Sequence, residues 1–213
     1  MNAVRAELRK LLTLPSLRLT VLLTWGVTGL LAYAYALAAA HGRPATDEAA
    51  SAPLFYAQAG FLVLGALAAA SEHQGGAQIR VTLLAMPRRL PLQAVKALTL
   101  AGVALPVAAV TAAISALVAE EPARIPAATA YLTLTTLLGS AVAVLVRQAV
   151  PAVLSLLVLH FVAGPLLRAR FDDVAAYLPD TAAVDPGTGL AATIGWVAVA
   201  LAAATAAFHR RDA

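Results

Sequence analysis

Four histidines and eleven acidic residues are the side chains of this chain that could hold a metal ion or move protons. The histidines are His41, His73, His160 and His209, which lie far apart, with no H-E-x-x-H and no other ligand spacing. The chain has no cysteine, which excludes thiolate catalysis, thiolate metal sites and a disulfide framework. No serine lies in a nucleophile-elbow sequence. We therefore predict no catalytic residue, no metal site and no enzymatic activity in this chain.

Two polar side chains stand inside long apolar runs and are the remaining candidates. His160 is the one ionisable residue well inside such a run, where a titratable group is costly and is a functional candidate by default. Gln58 is a polar residue of another run. The alternative for His160 is a structural role, in which its ring is hydrogen-bonded between packed helices. Both roles are compatible with the sequence.

The runs that carry these residues predict a membrane protein. Apolar residues make up 61% of the 213 positions and charged residues 12%, whereas a soluble domain is about half apolar and a quarter charged. About 20 apolar residues are needed to cross a bilayer. Six runs are long enough: 19–40, 54–71, 97–119, 125–146, 149–167 and 190–208. We predict an all-α polytopic membrane protein with six transmembrane helices in a single domain, 1–213.

The basic residues predict the orientation of these helices. With six spans, both termini share one side with the connector between the second and third spans. That side collects eleven basic residues: Arg5, Arg9, Lys10, Arg18, Arg80, Arg88, Arg89, Lys96, Arg147, Arg210 and Arg211. The other side holds four: Arg43, Arg124, Arg168 and Arg170. Because basic loops stay in the cytoplasm, we predict cytoplasmic termini. The positive charge suits a membrane surface, and we expect no nucleic-acid partner.

The N-terminal segment, 1–18, has the pattern of an amphipathic helix. An apolar stripe at i, i+4, i+7 and i+8 is formed by Val4, Leu8, Leu11 and Leu12. Arg5 and Arg9 point elsewhere, and Pro15 ends the pattern. We predict an interfacial helix with Arg5 and Arg9 as lipid headgroup anchors. The alternative is a basic anchor that follows the positive-inside rule and has no further role.

The connector at 72–91 is the most patterned segment between spans. Gly75 and Gly76 open it, and Pro87 closes a helix-length stretch. Its apolar stripe consists of Ile79, Leu83 and Met86. Arg88, Arg89 and Lys96 follow, and suit contact with lipid phosphate. A short helix held between two spans at the cytoplasmic surface could pass force to a soluble partner; alternatively it is only an interfacial helix.

The connector resembles the coupling segment of small bacterial ATP-binding-cassette export permeases of type 2. The residues that carry the resemblance are Glu72, Gly75, Gly76, Ile79, Arg80, Thr82, Leu83, Pro87, Arg88, Arg89 and Lys96. The N-terminal segment is similar to the interfacial elbow helix of that family. The sequence YLPDTAA at 177–183 resembles its Tyr-Leu-Pro-x-Thr-Ala segment. The spacing from Glu72 to Arg80 is one residue longer than usual, which leaves the role of Glu72 open.

The resemblance implies a subunit of an exporter in the bacterial cytoplasmic membrane. A separate ATPase subunit would hold ATP and Mg²⁺, since this chain has no G-x-x-x-x-G-K-[ST] loop and no cofactor of its own. The contact with the ATPase is expected at Gln78, Ile79, Arg80, Val81, Thr82, Leu83 and Leu84. Support for the loop is expected from Glu72, Gly75, Gly76 and Pro87. The permease would pair with a copy of itself or with a second permease.

The same resemblance gives roles to the other side and to the interior. Short outer helices in 168–189, before the sixth span, would cap the outer mouth through Tyr177, Leu178 and Pro179; the alternative is a surface loop. Gln58 and His160 would line a path for an amphiphilic, lipid-like or peptide cargo. Two other functions stay open. One is a non-transport membrane protein with the same fold, such as an immunity or assembly factor, and the other is an intramembrane enzyme.

Overall fold

A computed structural model describes residues 2–41, 47–71, 89–119, 124–181 and 186–211. The connector 72–88 lies outside these residues. The predictions for the ATPase-coupling residues 78–84 and for their supports Glu72, Gly75, Gly76 and Pro87 therefore stay predictions, as does the anchoring role of Arg88.

The described residues are helical, and no strand occurs among them. The helices are α1 (Asn2–Thr13), α2 (Pro15–Ala40), α3 (Asp47–Ala70), α4 (Arg89–Ala119), α5 (Ile125–Val146), α6 (Ala149–Val158), α7 (Gly164–Arg170), α8 (Asp172–Ala175) and α9 (Pro186–Arg211). A five-residue π-helical turn, Leu159–Ala163, joins α6 to α7.

Six helical segments of the described chain are long and apolar enough to cross a membrane, which confirms the predicted spans. They are Pro15–Ala40, Ala52–Ala70, Gln93–Leu117, Ile125–Val146, Ala149–Arg170 and Gly189–Ala207. The fifth segment combines α6, the π turn and α7. Because α7 continues to Arg170, the predicted outer segment begins three residues later than expected from hydropathy.

Several helix boundaries differ from the prediction. Helix α3 begins at Asp47, before the predicted run 54–71, so Pro53 lies inside the helix. Pro15 begins α2 rather than only ending the N-terminal pattern, since the first turn of a helix tolerates the missing N–H. Lys96 lies within α4, which starts at Arg89. Hydropathy identifies the apolar part of a helix but not the polar helical turns that extend the helix beyond that part.

The turn between α5 and α6 is tight, as predicted at Arg147. Arg147 caps α5 in the left-handed conformation, with φ of 61°, and is the one non-glycine residue with positive φ in the described chain. Its N–H donates to the Ala143 carbonyl oxygen over 2.7 Å. Glycine normally takes this position. The fourth and fifth spans thus form a close antiparallel hairpin.

α3 and α5 form the centre of the bundle. In the apolar windows of these helices 56% and 50% of residues are buried, against 17% for the windows of α2 and α9. A β-carbon at Gly139 would lie 2.5 Å from the Leu62 carbonyl oxygen, and one at Gly65 would overlap the Thr136 carbonyl oxygen. The two backbones therefore touch, which only glycine permits at these positions.

The outer helices present apolar side chains on the surface. In the fifth span a row at every fourth position is exposed: Val150, Leu154, Val158, Val162 and Leu166. α2 exposes a comparable row that includes Leu19, Leu23, Val27 and Leu30. Surfaces of this kind are compatible with lipid or with another membrane subunit as neighbour.

A buried polar cluster as candidate functional site

The polar residues of the bundle interior gather towards one end. Successive spans run in opposite directions, so the first turns of α3, α5 and α9 lie at the same end as α7 and α8. We call this the α8 end, and the opposite end, where α1 packs beside the start of α2, the α1 end. At the α8 end the buried polar cluster consists of Gln58, Tyr131, His160, Arg168 and Asp180.

Gln58 and Tyr131 connect the two central helices. Tyr131 is fully buried on α5, and its hydroxyl donates a hydrogen bond to Oε1 of Gln58 on α3. Gln58 is also fully buried, and its amide Nε2 has no hydrogen-bond partner among the described residues. A buried amide that makes only part of its hydrogen bonds is costly. The pair therefore fixes α3 against α5 at some expense in stability.

Arg168 and Asp180 form a second contact, between the end of the fifth span and the segment after α8. Arg168 Nη2 lies 2.8 Å from Asp180 Oδ1, and the side chain of Asp180 is 1% exposed while that of Arg168 is 26% exposed. Neither carboxylate oxygen of Asp180 makes a regular hydrogen bond within the described chain. Asp180 belongs to the segment 168–189 that was predicted on the outer side, yet its carboxylate is buried in the bundle.

Gly164 allows Asp180 to reach this position. A β-carbon at Gly164 would lie 2.9 Å from Asp180 Oδ2 and 3.2 Å from the Leu159 carbonyl oxygen. The carboxylate thus rests directly against the backbone of α7. Any larger residue would push the segment 171–181 away from the bundle.

His160 lies on the π turn, one turn before Gly164. Its ring is 1% exposed, and Nδ1 lies 3.0 Å from the Leu156 carbonyl oxygen. Because a carbonyl oxygen only accepts, Nδ1 carries the hydrogen, and Nε2 of the neutral ring is left with a lone pair. Nε2 has no partner in the described chain. The Asp180 carboxylate is close enough to act electrostatically on both His160 and Tyr131.

The segment after α8 is tied down by hydrogen bonds to backbone carbonyls. Thr193 of α9 donates to the Pro179 oxygen over 3.0 Å, and Trp196 Nε1 donates to the Tyr177 oxygen over 2.8 Å. Thr181 donates to the Ala175 oxygen over 2.6 Å. These bonds hold the chain so that Asp180 points inwards.

The predicted cap residues have different environments. Leu178 and Pro179 are buried, whereas the side chain of Tyr177 is 74% exposed. Val174 of α8 is exposed as well. A short helix, α8, does precede the last span, as predicted, while its capping role stays a prediction.

The other predicted site residues lie far from this cluster. Arg5 and Arg9 are exposed on α1 at the opposite end, and Lys96 is half-buried on α4. The predicted apolar stripe of α1 splits: Leu11 is buried against Leu17, Leu64 and Leu100, while Val4, Leu8 and Leu12 are exposed. Leu11 is therefore the buried member of that stripe.

Many threonine hydroxyls of the spans form hydrogen bonds within their own helices. Thr99, Thr111, Thr129, Thr133, Thr135, Thr136 and Thr205 each donate to the carbonyl oxygen four residues earlier. Such hydroxyls need no external partner. The polar character of the interior thus rests on the cluster at the α8 end.

Gln58 and His160 belong to the cluster, whereas sequence reasoning missed Arg168 and Asp180 and gave Tyr131 no specific role. No group of three or more metal-binding side chains occurs within the described ranges. The cluster can form ion pairs and hydrogen bonds that close the α8 end, and its two unpartnered nitrogens, Nε2 of Gln58 and Nε2 of His160, can bind water or a polar group. That Gln58 and His160 line a cargo path stays a prediction, since both side chains are buried inside the helix bundle of this chain.

These features define an all-helical protein with six segments able to span a membrane. No protein-family model matches the chain, and no curated protein matches it.

Proposed function

We propose that this chain is the permease subunit of an ATP-driven exporter in a bacterial cytoplasmic membrane. Both termini would be cytoplasmic, and a separate ATP-binding-cassette subunit would bind ATP and Mg²⁺. The cargo would be amphiphilic, lipid-like or a peptide, taken from the cytoplasm or the inner leaflet. Support comes from the six-span architecture and from the resemblance carried by residues 72–96.

The observation that supports the proposal best is the position of α3. This helix leads directly into the connector that resembles a coupling segment, and it is the most buried span of the bundle. It contacts α5 backbone to backbone at Gly65 and Gly139. A push on the connector would therefore be transmitted to the centre of the protein rather than to a peripheral helix.

Gln58, near the middle of α3, accepts a hydrogen bond from Tyr131. Movement of α3 along or away from α5 would strain that bond and loosen the polar cluster. Gln58 and His160 could line a path only after the spans separate, because both are fully enclosed in the described arrangement. In this mechanism ATPase closure supplies the energy, and the cluster is the part that opens.

A second permease subunit, either a copy or a relative, would cover part of the exposed apolar surface. The row from Val150 to Leu166 on the fifth span and the row on α2 offer straight apolar faces for it.

The decisive experiment is co-purification with the ATPase encoded nearest to this chain, followed by ATP-dependent export in proteoliposomes. Arg80→Glu in the connector should abolish both complex formation and export. The matched control is Arg170→Glu, an exposed arginine at the α8 end, which should leave the ATPase bound. Failure of any ATPase to co-purify, or full activity of Arg80→Glu, would overturn the proposal.

One observation favours the non-transport alternative, an immunity or assembly factor with the same fold. The α8 end is closed by a buried ion pair and a hydrogen-bonded pair, which would suit a protein that never opens. Such a protein would bind its partner yet show no ATP-dependent movement of any amphiphile. Export measured with the purified complex separates the two.

A further inference from the structure

A groove opens on the outer surface of the helix bundle at the α1 end. It has a volume of about 510 Å³ and is bounded by α1, α2, α3 and α4. Nine of its ten lining residues are leucine or valine, and the tenth is Arg18. Pockets of a few hundred cubic ångströms hold small organic ligands. The groove is separate from the polar cluster at the other end.

The groove runs along the spans from the helix ends towards the membrane interior. On α4 its lining extends from Leu100 to Val107, which corresponds to roughly 10 Å at the rise of an α-helix. Beyond its deep end the Trp25 indole donates to the Val107 carbonyl oxygen over 3.4 Å and joins α2 to α4. The groove is thus a slot that is closed at its deep end by the contact between Trp25 and Val107. Its long axis follows the helices, as lipid chains would.

Arg18 stands at the mouth of the slot in a fixed orientation. Its Nε donates to the Leu12 carbonyl oxygen over 2.7 Å, and the side chain is exposed. Two further exposed arginines, Arg5 and Arg9, lie on α1 at the same end of the bundle, outside the lining of the groove. The mouth is therefore cationic while the slot is apolar.

We propose that this groove binds a phospholipid with an anionic headgroup, one acyl chain lying in the slot and the phosphate against Arg18. The apolar lining matches a hydrocarbon chain, and the basic mouth at the helix ends matches a negative headgroup at the depth of the membrane surface. The bound lipid fills the space between α1 and the spans, and so holds α1 in place. This inference requires only a bilayer around the protein, and it does not depend on the proposed transport function.

Fluorescence quenching by lipids with brominated chains tests the proposal, since the chain has two tryptophans, Trp25 and Trp196. The full-length Trp196→Phe variant, which leaves Trp25 next to the slot, is reconstituted in phosphatidylcholine vesicles. Increasing fractions of brominated phosphatidylglycerol or brominated phosphatidylcholine are then compared. Because one basic residue favours an anionic lipid about fivefold, half-maximal quenching should need an about fivefold lower fraction of phosphatidylglycerol.

Matched variants identify the site. Arg18→Gln should make the two quenching curves coincide, whereas Arg5→Gln, which removes an equal charge outside the groove, should preserve most of the difference. Leu22→Phe narrows the slot and should reduce quenching by both lipids. The opposite variant, Trp25→Phe, keeps only Trp196, which lies far from the groove. Its fluorescence should be quenched equally by brominated phosphatidylglycerol and brominated phosphatidylcholine.

A second measurement needs no tryptophan substitution, so it remains valid if a tryptophan variant misfolds. Native mass spectrometry of the unmodified chain should show one retained phosphatidylglycerol that Arg18→Gln loses. Equal quenching by both headgroups, with no retained lipid, would overturn the proposal. Absence of Trp25 quenching by both lipids would also overturn the proposal. It would indicate that another protein surface covers the groove.

Discussion

Arg168 and Asp180 meet over 2.8 Å at the α8 end, and the two side chains differ in exposure, at 26% and 1%. The arginine can still reach the outside when its partner is removed, whereas the carboxylate cannot. Removal of the arginine and removal of the carboxylate should therefore destabilise the protein by different amounts.

Arg168→Gln should destabilise the protein more than Asp180→Asn does. Removal of one partner from a buried pair costs about 3–5 kcal/mol when the other charge stays buried, and that applies here to Asp180. The double variant Arg168→Leu/Asp180→Leu should be less damaged than Arg168→Gln alone. Thermal unfolding in detergent measures all three; a larger loss in Asp180→Asn would contradict the described geometry.

Tyr131→Phe should cost about 1–3 kcal/mol, because it leaves Oε1 of Gln58 buried without its donor. Adding Gln58→Leu should restore part of that loss, since no buried amide then remains. Thr133→Ala serves as the control, as its hydroxyl bonds within its own helix to Thr129 over 2.8 Å, and its effect should be small. Urea or heat unfolding of the unmodified chain, the single variants Tyr131→Phe and Gln58→Leu, and the double variant forms the cycle. Independent, additive effects of the two substitutions would argue against the pair.

Gly65→Ala and Gly139→Ala should each destabilise the bundle by about 1–3 kcal/mol, the usual range for overpacking, because the added carbon meets backbone of the partner helix. The matched controls are Gly102→Ala and Gly195→Ala, at positions where a β-carbon meets nothing within 4 Å. These two should be neutral or slightly stabilising, since alanine favours the helix. Circular dichroism melting curves distinguish the two groups, and equal effects in both would refute the close approach of α3 and α5.

The predicted orientation of the chain in the membrane can be tested with single introduced cysteines, because the chain has none of its own. Arg5→Cys places a thiol on α1, and Tyr177→Cys places one on the segment after α8, both at exposed positions. A membrane-impermeant thiol reagent applied to intact cells should label Tyr177→Cys and spare Arg5→Cys. Opening the cells should make both reactive, and labelling of Arg5→Cys in intact cells would reverse the topology.

The spans followed from the sequence because bilayer thickness demands apolar runs of a set length, and such runs are visible without any knowledge of packing. The turn at Arg147 was visible for a similar reason, as a single polar interruption between two runs. The pairing of Arg168 with Asp180 was not visible. Both residues stood beside other charges in a polar stretch, and nothing local distinguishes a carboxylate that turns inwards from one that faces water.

Gln58 and His160 were found as polar exceptions in apolar surroundings, yet the side chains around them came from three other segments of the chain. Tyr131 looked like any aromatic residue of a span, since its bond to Gln58 joins positions 73 residues apart. The close approach of Gly65 to Thr136 and of Gly139 to Leu62 depends on the register between α3 and α5. That register is a property of packing and not of either helix alone.

The π-helical turn at Leu159–Ala163 sets the rotation of the last part of the fifth span. Such turns arise from one extra residue in an α-helix, and each α-helical residue advances the helix by about 100°. Deletion of a single residue there would restore the regular ladder and swing Arg168 away from Asp180. The number of residues in this turn, more than their types, thus determines which side of the helix meets the carboxylate.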